Sequence, residues 1–349
     1  MSERSGILSR LLKSTEPSIR YKVRVNVLGE EPNSPAIRRL RNQIRSSSRV
    51  RSLLRERDTE GRIPYHPYAK WYGAHWVLAT LADIGYPPGD RKLIPLRERV
   101  HDWLLYYHEE RVSTIMGRVR RCASQQGNAI YAMLTLGLAD ARTEELVAQL
   151  QRWQWPDGGW NCDRNPTADT SSFMETLIPL RALALHARLK SDPASGQAAK
   201  RAAEVFLKRR LFRRQANGNI IQTGFTRLHY PCYWHYDILF GLKVMAEAGF
   251  IQDPRCQDAL DLLESKRLPD GGFPAEESFY RVRAEPRTGR ELVDWGGVSK
   301  TRMNEFVTAD ALGVLRAAGR PLSQEVMGHS PVVRPHRARQ ARQHDNAEG

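Results

Sequence analysis

One turn, written twice, constrains this chain more than any other feature. Residues 151–163 read QRWQWPDGGWNCD, and residues 264–276 read ESKRLPDGGFPAE. Asp followed by Gly is a turn with a mechanism: the carboxylate bonds nearby backbone amides, and Gly takes the positive φ that ends a helix. A helix is therefore expected to stop at each copy. Relaxed to an acidic or amide residue, Gly, any residue and a large apolar one, the pattern also fits EGRI at 60–63 and NGNI at 217–220. The first glycines fall at 61, 158, 218 and 271, and the long first step has room for one unmarked unit. Self-similarity at a period near ~50 residues is the signature of a repeat architecture.

The segments between turns alternate in character. In TEELVAQLQRW, Leu146, Leu150 and Trp153 follow helical spacing while Glu144, Glu145, Gln151 and Arg152 face the other way, as in a helix with one wet side. After the turn, SSFMETLIPLRALAL is apolar nearly all round, as in a helix buried behind another layer. The same pairing recurs in RKLIPLRERVHDWLLYY with QGNAIYAMLTLGLA, AKRAAEVFLKRR with YWHYDILFGLKVMAEAG, and CQDALDLLESK with NEFVTADALGVLRAAG. The basic N-terminal segment with YAKWYGAHWVLATLADIG makes a fifth hairpin, and GILSRLLKS with PSIRYKVRVNVLG a short sixth. The buried partners finish at Gly85, Gly137, Gly249 and Gly319, a C-terminal capping pattern. Amphipathic helices outside and apolar helices inside predict an all-α fold, an α/α toroid of five to six hairpins over residues 1–325, with a basic, disordered tail at 326–349. An open solenoid is the alternative. In a ring, the starts of all inner helices converge on one mouth.

Composition places limits on function. The net charge of +15 is concentrated in IRRLRNQIRSSSRVRSLLRER and in RPHRARQARQ, which favours anionic partners such as a phosphorylated substrate or an acidic membrane surface. No RRM-like signature, zinc knuckle or GxxG loop supports nucleic acid. The N-terminus lacks a secretory h-region and no run reaches the ~20 apolar residues of a membrane span, so the expected address is cytoplasmic with peripheral membrane association open to it. Four cysteines without a CxxC spacing read as reduced thiols. Nucleotide-binding glycine loops, HExxH and GxSxG are absent.

QRWQWPDGGW, a Ser/Thr helix start and ETLIPLRAL together resemble the QW-type repeat of the squalene cyclase and protein prenyltransferase superfamily. By its repeat period the resemblance runs over residues ~30 to ~320. It implies that Gln154 and Trp160 tie neighbouring hairpins together, and that an apolar central cavity takes a polyprenyl (isoprenoid) substrate. Squalene-hopene-type cyclases carry a DXDD acid motif after a GGW turn; the matching GGWNCDRNPTADTSSF holds Asp163 and Asp169 but no DXDD. Those two aspartates are the catalytic candidates, with Asp237 as a third. Asp169 also begins DTSS, where Glu175 three residues after Ser172 spells a capping box. Prenyltransferases of the superfamily hold zinc on an Asp, a Cys and a His. The nearest match here is LHYPCYWHYD, which suggests Cys232 and His235 as ligands, with Asp294 or Cys162 approaching from neighbouring mouths.

Trp71, His75, Trp76, Phe173, Tyr233, Trp234 and Trp295 belong to inner helices or their approaches and are candidate pocket walls, since aromatic faces can line an apolar pocket and stabilise a carbocation. Core packing explains several equally well, and His75 in particular reads as a core histidine. The 270–300 segment is a long insertion, expected to lid the mouth with Arg281, Arg283 or Lys300 meeting an anionic head group. Two other readings fit the same ring: a carbohydrate-active lyase or glycosidase using Asp163, Glu175 or Asp237, and a non-catalytic scaffold. A closed aromatic chamber separates the isoprenoid reading from the open acidic groove that sugars require.

Overall fold

Where the sequence alternates wet-sided and apolar segments, the chain builds outer and inner helices in turn. The computed structural model describes residues 6–106 and 113–322; the 326–349 tail lies outside them. Thirteen α-helices are formed among the described residues: α1 (Gly6–Leu12), α2 (Pro17–Lys22, continued by a π-helical turn Val23–Val27), α3 (Pro35–Arg45), α4 (Ser48–Leu54), α5 (Ala74–Asp83), α6 (Ile94–Leu105), α7 (Ala123–Thr135), α8 (Ala141–Trp153), α9 (Phe173–Lys190), α10 (Pro193–Leu207), α11 (Ile238–Glu247), α12 (Gln257–Glu264) and α13 (Glu305–Ala317).

The inner layer is α2, α5, α7, α9, α11 and α13, each packed on the next, and α13 returns to α2. The last junction, α2 to α5, is made by side chains: Lys22 Nζ donates to Asp83 Oδ2 at 3.0 Å, and the Tyr21 ring packs against Gly85. The ring therefore closes, with GILSRLLKS and PSIRYK forming the sixth hairpin. Around it stand α1, the α3–α4 pair, α6, α8, α10 and α12. This is the all-α double ring expected from the repeat. One contact sets the spacing of the inner layer. Gly127 of α7 lies so close to α9 that a Cβ there would sit 2.7 Å from Pro179 N. Pro179 has no N–H to bond, so the bare glycine packs where a helical hydrogen bond is already missing.

The repeated turns are joints. Gly61, Gly158, Gly218 and Gly271 all take positive φ. Gln154 Nε2 donates to Gly158 O at 2.7 Å and to Ala198 O on α10 at 2.8 Å, and Trp160 Nε1 donates to Leu150 O at 3.0 Å. Gln154 thus ties one hairpin to the next, while Trp160 fastens the turn to its own outer helix. The capping box at 172–175 is not formed: the Ser172 side chain caps nothing, and Glu175 turns instead to the start of α7. No described helix is long and apolar enough to cross a membrane.

Candidate functional site

Each inner helix sends one side chain to the ring axis: Lys22 from α2, Asp83 from α5, Tyr131 from α7, Arg181 from α9, Lys243 from α11 and Asp310 from α13. Asp310 accepts from Lys22 Nζ at 2.9 Å and Lys243 Nζ at 3.0 Å, and Asp83 accepts from Lys22 at 3.0 Å and Lys243 at 2.7 Å. Arg181 donates to Glu247 at 2.8 Å and lies over the Tyr131 ring at 3.7 Å. Three cations and three carboxylates balance. Burial pushes the Asp83 carboxyl up, but Lys22, Lys243 and Arg181 outweigh it and hold it well below its ordinary value. For Lys243 the two aspartates outweigh burial in the opposite sense, and its pKa lies well above the usual lysine range. An unpaired charge would be costly here, and mutual pairing is what lets the hub stay buried.

Above the hub is a cavity of about 40 Å³, enough for roughly three waters. Its lining includes the charged Asp83 and Arg181, the polar Thr80 and Asn128, and the rings of Trp76, Tyr230, Tyr233 and Phe240. The chamber expected from the sequence to be apolar is therefore small and partly charged. The reason is the hub: charges from five inner helices, with Tyr131 from the sixth, fill the axis that an isoprenoid chamber would occupy.

The mouth is closed by aromatic rings and a lid. Trp71, Trp76 and Tyr233 form a hydrophobic cluster separate from the main core, flanked by Tyr68, Trp234, Phe279 and Tyr280. Trp71 stacks on Tyr233 with centroids 3.8 Å apart and planes 7° apart. The 270–300 insertion crosses this cluster, carrying a short parallel pairing of Arg281–Val282 with Arg290–Glu291. It is fastened by Trp71 N to Arg290 O and Trp71 Nε1 to Phe279 O, both 2.7 Å, and by the Arg290–Glu56 ion pair at 2.6 Å. The lid's inward residues are thus Arg290 and Glu291. Arg281 and Lys300 are exposed, and neither lines the cavity. Glu291 is fully buried; its Oε2 accepts from Tyr233 Oη at 2.5 Å and its Oε1 from Leu292 N at 2.7 Å. Burial pushes this carboxyl up, against the pull of those donors.

The sequence candidates separate. Asp163 and Asp169 are both exposed on the 161–172 loop, with Asp163 accepting from Asn165 N. Asp237 is buried as the N-cap of α11, accepting from Phe240 N at 2.7 Å and pairing with His229 Nδ1 at 2.9 Å. Phe173 packs with Phe206, Phe225 and Tyr236, and Trp295 with Tyr230 and Phe306, both in the main core, while the Trp295 backbone N–H donates to Tyr280 Oη beside the mouth cluster at 3.0 Å. His75 lies among Tyr68, Trp76 and Trp103 without a hydrogen-bond partner on either nitrogen, and burial pushes it down to about 3, so it is neutral. Trp234 stacks on His235, and His235 on Phe279.

The expected zinc set does not assemble. Cys232 lines the cavity, His235 is held between rings, and Asp294 is exposed and caps Gly296 N. Among the described residues one group of three metal-ligating side chains converges: Cys122, Cys162 and Glu175, with ligand atoms all within 4.8 Å of one another. Cys162 Sγ lies 3.5 Å from Glu175 Oε1, and Glu175 Oε2 accepts from Ser124 N at 2.9 Å. Contact with Cys122 and then burial push the Cys162 thiol up; burial does the same to Glu175. Cys162 was a sequence candidate for metal and Glu175 a candidate carboxylate for sugar chemistry, whereas Cys122 and the joining of the three were missed. The signal was present: Cys122 precedes one inner helix, Cys162 follows the GGW turn, and Glu175 opens the next inner helix.

No family model matches this chain, and no curated protein matches it. Solved structures similar to it include an unsaturated glucuronyl hydrolase variant with dGlcA-Glc-Rha-Glc, at 14% identity and a TM-score of 0.40, covering 89% of this chain and 94% of that one. The type II terpene cyclase MstE from Scytonema is similar in its complex with merosterolic acid A, at 14% identity and a TM-score of 0.27, covering 80% of this chain and 98% of that one. Its complex with geranylgeranyl dihydroxybenzoate is similar at 14% identity and 0.26, with the same coverage. At this identity none of these neighbours assigns a substrate to this chain.

Proposed function

We propose that this ring binds and acts on a hydrophobic, isoprenoid-type molecule at its aromatic mouth, in the manner of a terpenoid cyclase or prenyltransferase. The observation that carries the reading is the Trp71–Trp76–Tyr233 cluster, which is set apart from the main core and stands between a loop lid and the cavity. Stacked aromatic faces suit a polyene or its cation. The aromatic cluster beneath the lid, with Asp163 and Asp169 out on an exposed loop, supports this reading over the open acidic groove of a sugar enzyme. Because the cavity is only about 40 Å³, in this reading the 277–296 lid lifts to admit the ligand, which then replaces ring-on-ring contacts with its own. In this reading the acid at the mouth is Glu291, bonded to Tyr233, in place of the exposed aspartates.

The test is a thermal-shift series with geranylgeraniol and farnesol against uronic-acid oligosaccharides. At a ligand concentration of 100 Kd, site-specific binding stabilises by about 2.7 kcal/mol. A rise in Tm with the isoprenoid alcohols that is lost in Trp71→Ala is the expected result. A rise with oligosaccharides alone would overturn it, as would no rise with either class.

A further inference from the structure

The resemblance drawn from sequence points to zinc on Cys232, His235 and Asp294, and the structure keeps those three apart. A different set is assembled. Cys122 is the residue before α7, Cys162 lies in the loop that follows the GGW turn, and Glu175 is in the first turn of α9. The start of α7 and the loop leading into α9 with that helix's first turn thus bring two thiols and a carboxyl to one point.

The spacing has a chemical meaning. A tetrahedral zinc-type ion with sulfur at ~2.3 Å and oxygen at ~2.0 Å separates its ligand atoms by roughly 3.5–3.8 Å. The observed Sγ–Oε1 separation of 3.5 Å and the 4.8 Å envelope of all three atoms fall around that value. The carboxylate is also oriented as metal ligands usually are: Ser124 N holds Oε2, which leaves Oε1 facing the thiols.

We propose that Cys122, Cys162 and Glu175 form a three-ligand site for a divalent zinc-type cation, with its fourth position open to water or substrate. Two thiolates and a carboxylate around a divalent ion leave a net charge of −1, and loading releases both thiol protons, together with the carboxyl proton where Glu175 holds one. Three protein ligands with an open position is the arrangement of catalytic zinc, whereas structural zinc sites are closed by four. The site is independent of the isoprenoid reading, because it is read by metal and not by lipid.

The experiment uses the full chain, purified under reducing conditions, with metal content measured by mass spectrometry and Co²⁺ titrated while thiolate-to-metal charge-transfer absorption is followed. One equivalent of metal per chain is expected, with a charge-transfer band whose intensity fits two thiolates. Cys122→Ser and Cys162→Ser should each weaken Co²⁺ binding at least 10-fold and reduce the band, while Cys232→Ser leaves both unchanged. Wild-type protein, folded by circular dichroism and with four free thiols, that binds neither Zn²⁺ nor Co²⁺ would overturn the proposal without recourse to any variant. So would a Cys122–Cys162 disulfide in protein isolated without reductant or metal, or loss of the metal in Cys232→Ser alone.

Discussion

Replacing Asp310 by Asn tests whether the axial hub is a charge-balanced unit. Asp310 is 5% exposed and accepts from Lys22 at 2.9 Å and from Lys243 at 3.0 Å. In Asp310→Asn the two ammonium groups share Asp83 alone, and a hub of three cations and three carboxylates gains a net charge of +1. Removing one partner of a buried pair typically costs about 3–5 kcal/mol, because the charge left behind is uncompensated. For the ~310 residues described here, an unfolding entropy of about 2.1 cal/mol/K per residue gives about 0.7 kcal/mol/K, so the loss corresponds to a Tm lower by about 5–8 °C. Calorimetry should show that drop, and the double variant Lys243→Met, Asp310→Asn should lose less than the sum of the single losses, since it restores neutrality. The acid limb carries the same signature. The folded pKa of Asp83 lies below its unfolded value near 3.8, so its contribution is complete above pH ~4 and is lost as pH falls through the folded pKa. A Tm for Asp310→Asn within 1 °C of wild type, or strict additivity in the double variant, would refute the reasoning.

Two further outcomes follow from particular contacts. In Gly127→Ala the new methyl meets Pro179 N at 2.7 Å and Ile178 C at 2.9 Å, both backbone, so overpacking of about 1–3 kcal/mol should exceed the ~1 kcal/mol gain in helix propensity. Gly196→Ala in α10, which meets only Ala187 Cβ at 3.7 Å, should be neutral or stabilising, and a Gly127→Ala protein as stable as Gly196→Ala would refute the close helix crossing. Burial alone would push His229 down, but the charge and hydrogen bond of Asp237 outweigh it and raise its pKa above 6.5. The pair's stabilisation is therefore full below pH ~6.5 and is lost as pH rises through the folded pKa. An NMR titration should place His229 above 6.5 in wild type and lower in Asp237→Asn, which keeps the α11 cap; an unchanged midpoint would show that the pairing is not electrostatic.

Local chemistry made the hairpins legible in the sequence. Leu146, Leu150 and Trp153 repeat at helical spacing because one face of α8 is wet, and Gly158 and Gly271 mark joints because only glycine takes positive φ there without strain. Gln154 could be assigned to a joint from its place in the turn, and the structure shows it reaching Ala198 on the next outer helix. The lid was visible as a long insertion, but not which of its charges face inward. Arg281 and Arg290 are alike in sequence; Arg290 is buried because Glu56, more than two hundred residues earlier, accepts both its outer nitrogens.

The amino-acid sequence by itself determined the repeat, the alternation of outer and inner helices and the turns, all of which depend on neighbours a few residues away. Only tertiary structure decided what the ring encloses. Lys22, Asp83, Arg181, Lys243 and Asp310 lie on five different helices, with no local pattern to separate them from surface charges. Ring closure is what removes them from water together, and the cost of burying any one unpaired forces them into a single network. The same holds for Cys122, Cys162 and Glu175, whose shared chemistry exists only where the starts of α7 and α9 meet.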